Sequence, residues 1–252
     1  RKMEWALLFL ASFVGSGLKA VGGFGFATLT TPVVALFWNV PIAIAVISIP
    51  TLVMSLLNAW RTREAIREPL KPYLLFFAAS LIGLALGLVF LLHADARLMK
   101  LFLGAFIVGQ TLLYLIQAAK KSSPRHSSFR SGGMGLLAGI MLATVNMPSH
   151  VIATYLGGLR ISKGTYLFIL SACQVALRAI AIASLFLAGI YTPEALWLVL
   201  IVSLPVLLGY ALGTRFYNWL SDRVFFQIIL GILLVMGSLL VFQNRSVLLQ
   251  FF

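Results

Sequence analysis

GLKAVGGFGFATLTTP, residues 17–32, places a lysine, four glycines and a proline inside an otherwise apolar run. The whole apolar element covers about residues 4–38. As one straight helix it would measure about 50 Å, at roughly 1.5 Å per residue. That is too long for a hydrocarbon core of about 30 Å and somewhat short for two comfortable spans. Gly22, Gly23 and Gly25 supply the backbone freedom for a break, and Pro32 adds a second irregularity. A helix-turn-helix that enters and leaves the membrane on the same side fits this length, with a tilted, kinked span as the alternative. About 123 residues later, LATVNMPSHVIATY, residues 142–155, poses a comparable break at Asn146-Met147-Pro148.

Composition sets the wider frame. The 252 residues are 61% hydrophobic and 10% charged, with a mean hydropathy of +1.04. Soluble domains carry roughly 45–50% apolar and 25% charged residues, so too little polar surface remains here to cover a soluble core. Long apolar runs recur without the short alternating segments of a membrane β-barrel. The chain reads as an all-α polytopic membrane protein with about eight membrane elements. They cover roughly residues 4–38, 41–60, 72–92, 97–118, 133–158, 164–190, 195–214 and 224–243.

The net charge of +13 lies mostly in short loops, as the positive-inside rule expects. No nucleic-acid partner is expected, whereas anionic membrane lipid is. Cys173 is the single cysteine, so neither an internal disulfide nor a cysteine metal cluster is expected; in its apolar run it reads as small buried filler. The first apolar run lacks a signal-peptide cleavage pattern, and a multi-pass location in the cell inner (plasma) membrane is expected.

The Ser- and basic-rich segment AKKSSPRHSSFRSGG, residues 119–133, divides the chain nearly in half. This gives a first repeat at 1–118, a linker at 119–132 and a second repeat at 133–252. Gly83 and Gly87 in the first half match Gly209 and Gly213 in the second, both four residues apart, at an offset of 126. Small residues at that spacing let helices approach closely in lipid. If each half opens with a re-entrant hairpin, three crossings remain per half and the repeats are inverted. That version gathers the basic segments 61–71, 119–133, 158–163 and 215–223 on one side.

All six acidic residues, Glu4, Glu64, Glu68, Asp95, Glu194 and Asp222, fall at membrane edges or in loops. Three groups able to carry positive charge do not: Lys19, His150 and Arg178. A buried cation costs at least a few kcal/mol in lipid, and with no intramembrane carboxylate a bound anion is the direct candidate to offset it. Each residue also has a plain structural reading. Lys19 can snorkel, His150 can be an ordinary packing residue, and Arg178 can pair with carbonyls. A half-helix starting after Gly22, Gly23 and Gly25 would present unpaired N–H groups and the positive end of its dipole, features that bind anions. Pro148 suits a first helical turn and Asn146 can cap it. At an offset of 123, Thr51 corresponds to Gln174 and Ser55 to Arg178, and Thr51 and Gln174 can donate to an oxyanion. Asn58 is a weaker candidate near the membrane edge. The candidate substrate-binding set is Lys19, Gly22, Gly23, Gly25, Thr51, Asn146, His150, Gln174 and Arg178, around two half-helices meeting near the midplane.

The opening FVGSGLKAVGGFGFATLTTPVVAL, residues 13–36, resembles the glycine-rich first segment of the TauE/SafE family, also called the sulfite exporter or TSUP family. GLLAGIMLATVNMPSHVIATYL, residues 135–156, looks like a diverged repeat of it. The resemblance implies about eight membrane segments in two related halves and a link to sulfite, sulfoacetate and other organosulfur anions. It rests on Gly22, Gly23, Gly25 and Pro32; the second half carries Asn146-Met147-Pro148 where a denser glycine cluster would stand.

Together these point to a secondary transporter of a small oxyanion, sulfite or a short organosulfonate, working by alternating access. Charge alone reaches only a small anion; sulfur comes from the resemblance. An anion channel is the first alternative, and a membrane enzyme or a structural membrane protein the next. No HExxH, nucleophile elbow or internal acidic pair supports catalysis, so no enzyme is expected. No Walker motif supports ATP-driven transport, and no cofactor or metal is expected. His150 can couple transport to protons, and backbone carbonyls can bind sodium. Homo-oligomerisation stays open.

Overall fold

The computed structural model describes residues 2–23, 25–66, 69–117, 128–157, 159, 161–215, 238 and 241–242. They form helices α1 (Lys2–Gly22), α2 (Phe26–Phe37), α3 (Val40–Thr62), α4 (Leu74–His93) and α5 (Ala96–Gln117). After these come α6 (Ser128–Val145), α7 (Pro148–Gly157), α8 (Lys163–Leu187) and α9 (Pro193–Arg215). Six of them, α1, α3, α4, α6, α8 and α9, contain stretches long and apolar enough to cross a membrane. Leu74, Ile82, Val89, Leu200, Leu204 and Leu207 stand largely exposed on α4 and α9. Such a surface suits hydrocarbon rather than water. The chain is an all-α, multi-pass membrane protein.

Seven of the eight apolar elements read from the sequence coincide with these helices, the first and fifth each as a pair of helices. The eighth, at 224–243, lies almost wholly outside the described residues. Helix α6 starts at Ser128, so residues 128–132, read as linker from their Ser and Gly content, are helical. A methyl added at Gly132 or Gly133 would meet nothing within 4 Å. These glycines sit on an open face, and about 1 kcal/mol of lost propensity each does not stop the helix.

Both broken elements fold back on themselves. In the first, Gly25 lies against Leu18 and Gly15 against Phe26. Further along, the Thr30 hydroxyl donates to the Ala11 carbonyl at 3.3 Å, and the Trp5 and Trp38 rings sit 6.0 Å apart. Contacts thus step down α1 as they step up α2, which is the signature of an antiparallel hairpin. Every residue of α2 from Phe26 to Ala35 is buried. In the second pair, Ser131 of α6 and Tyr155 of α7 share a hydrogen bond of 2.7 Å between their hydroxyls, so α7 also returns along α6.

Glycines then fix how the hairpins pack. A methyl on Gly209 or Gly213 of α9 would overlap the Phe13 or Gly17 carbonyl of α1. Likewise a methyl on Gly83 of α4 would overlap the Leu136 carbonyl of α6, and one on Gly139 the Ser80 carbonyl. The four-residue glycine spacing is therefore spent on two close helix pairs, α1 with α9 and α4 with α6. Helices α3 and α8 also pack against each other.

Candidate anion site at the helix breaks

Helix α1 ends because Gly23 takes a left-handed conformation, with φ 77°, a usual way to stop a helix. Its N–H closes the last turn onto the Lys19 carbonyl at 2.9 Å. Two α3 side chains satisfy nearby carbonyls: Asn58 Nδ2 donates to Lys19 O at 3.1 Å and Arg61 Nη2 to Ala20 O at 2.9 Å. Asn58 Oδ1 in turn accepts from the Tyr210 hydroxyl of α9 at 2.8 Å. The Lys19 side chain leaves α1, and its Nζ donates to Gln174 Oε1 at 2.8 Å and Gly23 O at 3.3 Å. Gln174 Nε2 donates to the same Gly23 carbonyl at 3.2 Å. Helix α2 then starts after Gly25, whose φ is 119°, with no side-chain cap. The first N–H groups of a helix have no partner within it, so α2 presents a positive helix end inside the fold.

The second break is built differently. Asn146 is the one non-glycine residue with positive φ among those described, at 61°. Its N–H bonds to Leu142 O, and the Met147 N–H reaches back to Met141 O. Asn146 therefore terminates α6. The expectation that it caps α7 is corrected: its side-chain oxygen accepts from Arg178 Nη1 at 2.5 Å, and its Nδ2 donates to Thr31 Oγ1 at 3.2 Å. Arg178 also donates from Nη1 to Ser48 Oγ at 3.3 Å and from Nη2 to Asn146 O at 3.4 Å. The Arg178 Nε is buried without an acceptor.

The two breaks do not meet end to end, as the sequence reading has it. Asn146 touches α2 at Thr31, about 9 Å along that helix from Gly25 at 1.5 Å per residue. Helix α8 connects the two breaks, with Gln174 at one and Arg178, a turn later, at the other.

Lys19 is 1% exposed and Arg178 0%. Among the described residues no carboxylate pairs with either; each is held by neutral oxygens. Lys19 Nζ bonds Gln174, which stands one turn before Arg178 on α8. Glu194 lies away from both cations, accepting from Trp38 Nε1 at 3.0 Å where α2 ends and α9 begins.

The remaining sequence candidates lie on α3, α7 and α1. Thr51 is buried, but its hydroxyl donates to the Ile47 carbonyl of its own helix at 2.6 Å. His150 is half-buried in the first turn of α7. Gly22 is the last residue of α1. Sequence reasoning missed Thr31, Ser48, Arg61 and Tyr210, and ranked Asn58 too low. A signal existed for two of them: Ser48, Thr51, Ser55, Asn58 and Thr62 recur at three- and four-residue steps, and all are buried. That spacing marks one helix face, and a polar face inside an apolar helix must be answered by neighbours.

A multi-pass helical membrane protein with two buried cations beside broken helices has the build of a transport protein. The family model described as Sulfite exporter TauE/SafE matches residues 8–240, and the chain belongs to that family of membrane transporters. No curated protein and no solved structure matches it.

Proposed function

We propose that the chain is a secondary transporter of a small oxyanion, with sulfite or a short organosulfonate as substrate, working by alternating access in the cell inner membrane. One observation carries this reading: two buried cations share an interior with no paired carboxylate among the described residues, and the Arg178 Nε lacks any acceptor. Neutral oxygens satisfy part of their hydrogen bonding but supply no countercharge, and an uncompensated buried charge is costly. An arriving oxyanion can accept from the free edge of the Arg178 fork and from the uncapped start of α2. Lys19, Gly22, Gly23, Gly25, Asn146, Gln174 and Arg178 form the proposed site. Thr51 and His150 complete the proposed set, and His150 is the proposed proton-coupling group, with sodium the other coupling ion to test.

The two-halves reading, 1–118 and 133–252 about a linker at 119–132, has support in contacts. Gly23 and Asn146 are both left-handed and stand 123 residues apart. The glycine pairs of α4 and α9 each grip the first arm of the opposite hairpin. Inverted repeats would have this crossed arrangement, and their relative rocking would open the site to either side. Burial of both cations favours a carrier over a continuously open channel.

The test is flux into proteoliposomes across sulfite, sulfate, sulfoacetate, taurine and chloride, with the Arg178→Gln variant beside the parent. Saturable sulfite or sulfonate flux with trans-stimulation, greatly reduced in the folded variant, is expected. Unchanged rates and affinity in Arg178→Gln would remove this site from the mechanism.

A further inference from the structure

We infer that the interior site selects a doubly charged anion, and that Lys19 is the residue that sets this charge requirement. The inference rests on the anion-site reading above and adds charge count to it.

Unused donors mark where an anion can bind. A lysine ammonium has three N–H donors and an arginine guanidinium five. Lys19 Nζ uses two, on Gln174 and Gly23. Arg178 uses both hydrogens of Nη1, on Ser48 and Asn146, and one on Nη2. One donor on Lys19, one on Nη2 and the Nε–H are left over, the last on a buried atom. Nε and Nη2 form one edge of the guanidinium plane, and such an edge receives two oxygens of one oxyanion side by side.

Charge then separates one anion class from another. Gln174 and Asn146, the side chains closest to the cations, are neutral amides that each turn an oxygen toward a cation and an N–H₂ toward another acceptor. They supply hydrogen-bond acceptors but no countercharge, and they leave two buried cationic side chains in one apolar interior. A singly charged anion on the Arg178 edge would leave Lys19 without a countercharge. A second negative charge offsets it. Lys19 of α1 already bonds Gln174 of α8, and a dianion accepting from both Lys19 and Arg178 would add a second link between these helices.

The test uses sulfate and methanesulfonate, which share a tetrahedral head and differ by one charge. Binding of each to the detergent-purified full chain is measured directly by calorimetry, so its outcome does not depend on observing transport. In the parent chain sulfate is expected to bind at least about tenfold more tightly, a difference of about 1.4 kcal/mol. Lys19→Gln should bring the ratio to near one mainly by weakening sulfate, while Lys19→Arg, which keeps the charge, should retain the preference. Equal binding of the two anions to the parent, binding of neither, or a preference that persists in a folded Lys19→Gln variant would overturn the inference. If Lys19→Gln does not fold, loss of the preference in a folded Lys19→Arg variant overturns it equally. Flux of sulfite in the parent with no charge discrimination in binding would leave the transporter reading standing and remove only this one.

Discussion

Gln174 and Arg178 lie one turn apart on α8, and each donates to the carbonyl of the left-handed residue at a different helix break. Gln174 Nε2 reaches Gly23 O at 3.2 Å, and Arg178 Nη2 reaches Asn146 O at 3.4 Å. A helix end leaves carbonyls that need partners, and in hydrocarbon no water can provide them. One face of α8 therefore stabilises both interruptions, and the residues that hold the backbone open also surround the buried charges.

Removing the shared amide separates these roles. Gln174→Leu takes the closest acceptor from Lys19 and a donor from Gly23 O, leaving buried polar groups unsatisfied. A destabilisation of about 1–3 kcal/mol is expected, together with slower anion flux. Gln174→Glu should behave differently, because its carboxylate would sit beside the Lys19 ammonium. Thermal unfolding should show stability near the parent, and the apparent affinity for a transported anion should fall because an internal anion competes for Lys19. Tighter anion binding in Gln174→Glu would contradict this account.

Asn146 combines a backbone duty with a side-chain duty. Asn146→Gly keeps the left-handed φ and the carbonyl that accepts from Arg178 Nη2, but loses the side-chain bonds to Arg178 Nη1 and Thr31. Asn146→Ala loses both and adds about 1–2 kcal/mol of backbone strain. Unfolding midpoints should therefore rank the parent above Asn146→Gly, and that above Asn146→Ala. If the alanine and glycine variants melt together, the left-handed conformation contributes little to the fold.

The reach of each interaction decided how much was legible in the sequence. Helix interruption is local: Gly22, Gly23 and Gly25 within an overlong apolar run, and Asn146 before Met147-Pro148, announce their breaks without reference to distant residues. The close helix pairs were legible as spacing, since Gly83, Gly87, Gly209 and Gly213 carry the pattern themselves. Their partners were not, because Phe13 and Leu136 contribute only carbonyl oxygens, which every residue has. Uncompensated charge singled out Lys19 and Arg178, yet it pointed to no neutral acceptors. Those come from Asn146, Ser48, Gln174 and Gly23, up to 155 residues away in the chain. Asn58 shows the same limit, since its place near the end of α3 suggested the membrane edge, while its partners on α1 and α9 bury it.

Glycine packing yields a prediction with a built-in contrast. A methyl at Gly209 would overlap the Phe13 carbonyl, and backbone cannot swing aside as a side chain can. Gly209→Ala should therefore cost at least about 1–3 kcal/mol through overpacking, seen as lower yield of folded protein and a lower melting point. Gly109 in α5 has nothing within 4 Å of an added methyl, and Gly109→Ala should be neutral or stabilise by up to about 1 kcal/mol through helix propensity. Equal effects at the two positions would show that α1 and α9 are not as closely packed as their glycines imply.

The Tyr210–Asn58 hydrogen bond offers the sharpest test of whether the first break is held by its surroundings. Asn58 Oδ1 accepts from the Tyr210 hydroxyl at 2.8 Å and from Arg61 Nη2 at 3.3 Å, while Asn58 Nδ2 donates to Lys19 O at 3.1 Å. Tyr210→Phe deletes one donor, but Arg61 still serves the oxygen, so the expected loss is at the lower end of about 0.5–1.5 kcal/mol. Asn58→Leu removes both ends of the amide. It leaves the Tyr210 hydroxyl without its acceptor, and the Lys19 carbonyl keeps only the Gly23 N–H. A buried donor left unmade costs about 1–3 kcal/mol, so the asparagine variant should be clearly the less stable of the two. The double variant should then cost less than the sum of the singles, because each single change disables the same bond. Thermal unfolding of all four proteins measures the coupling directly; strict additivity would mean that Tyr210 and Asn58 do not act together, and that α9 plays no part in holding the end of α1.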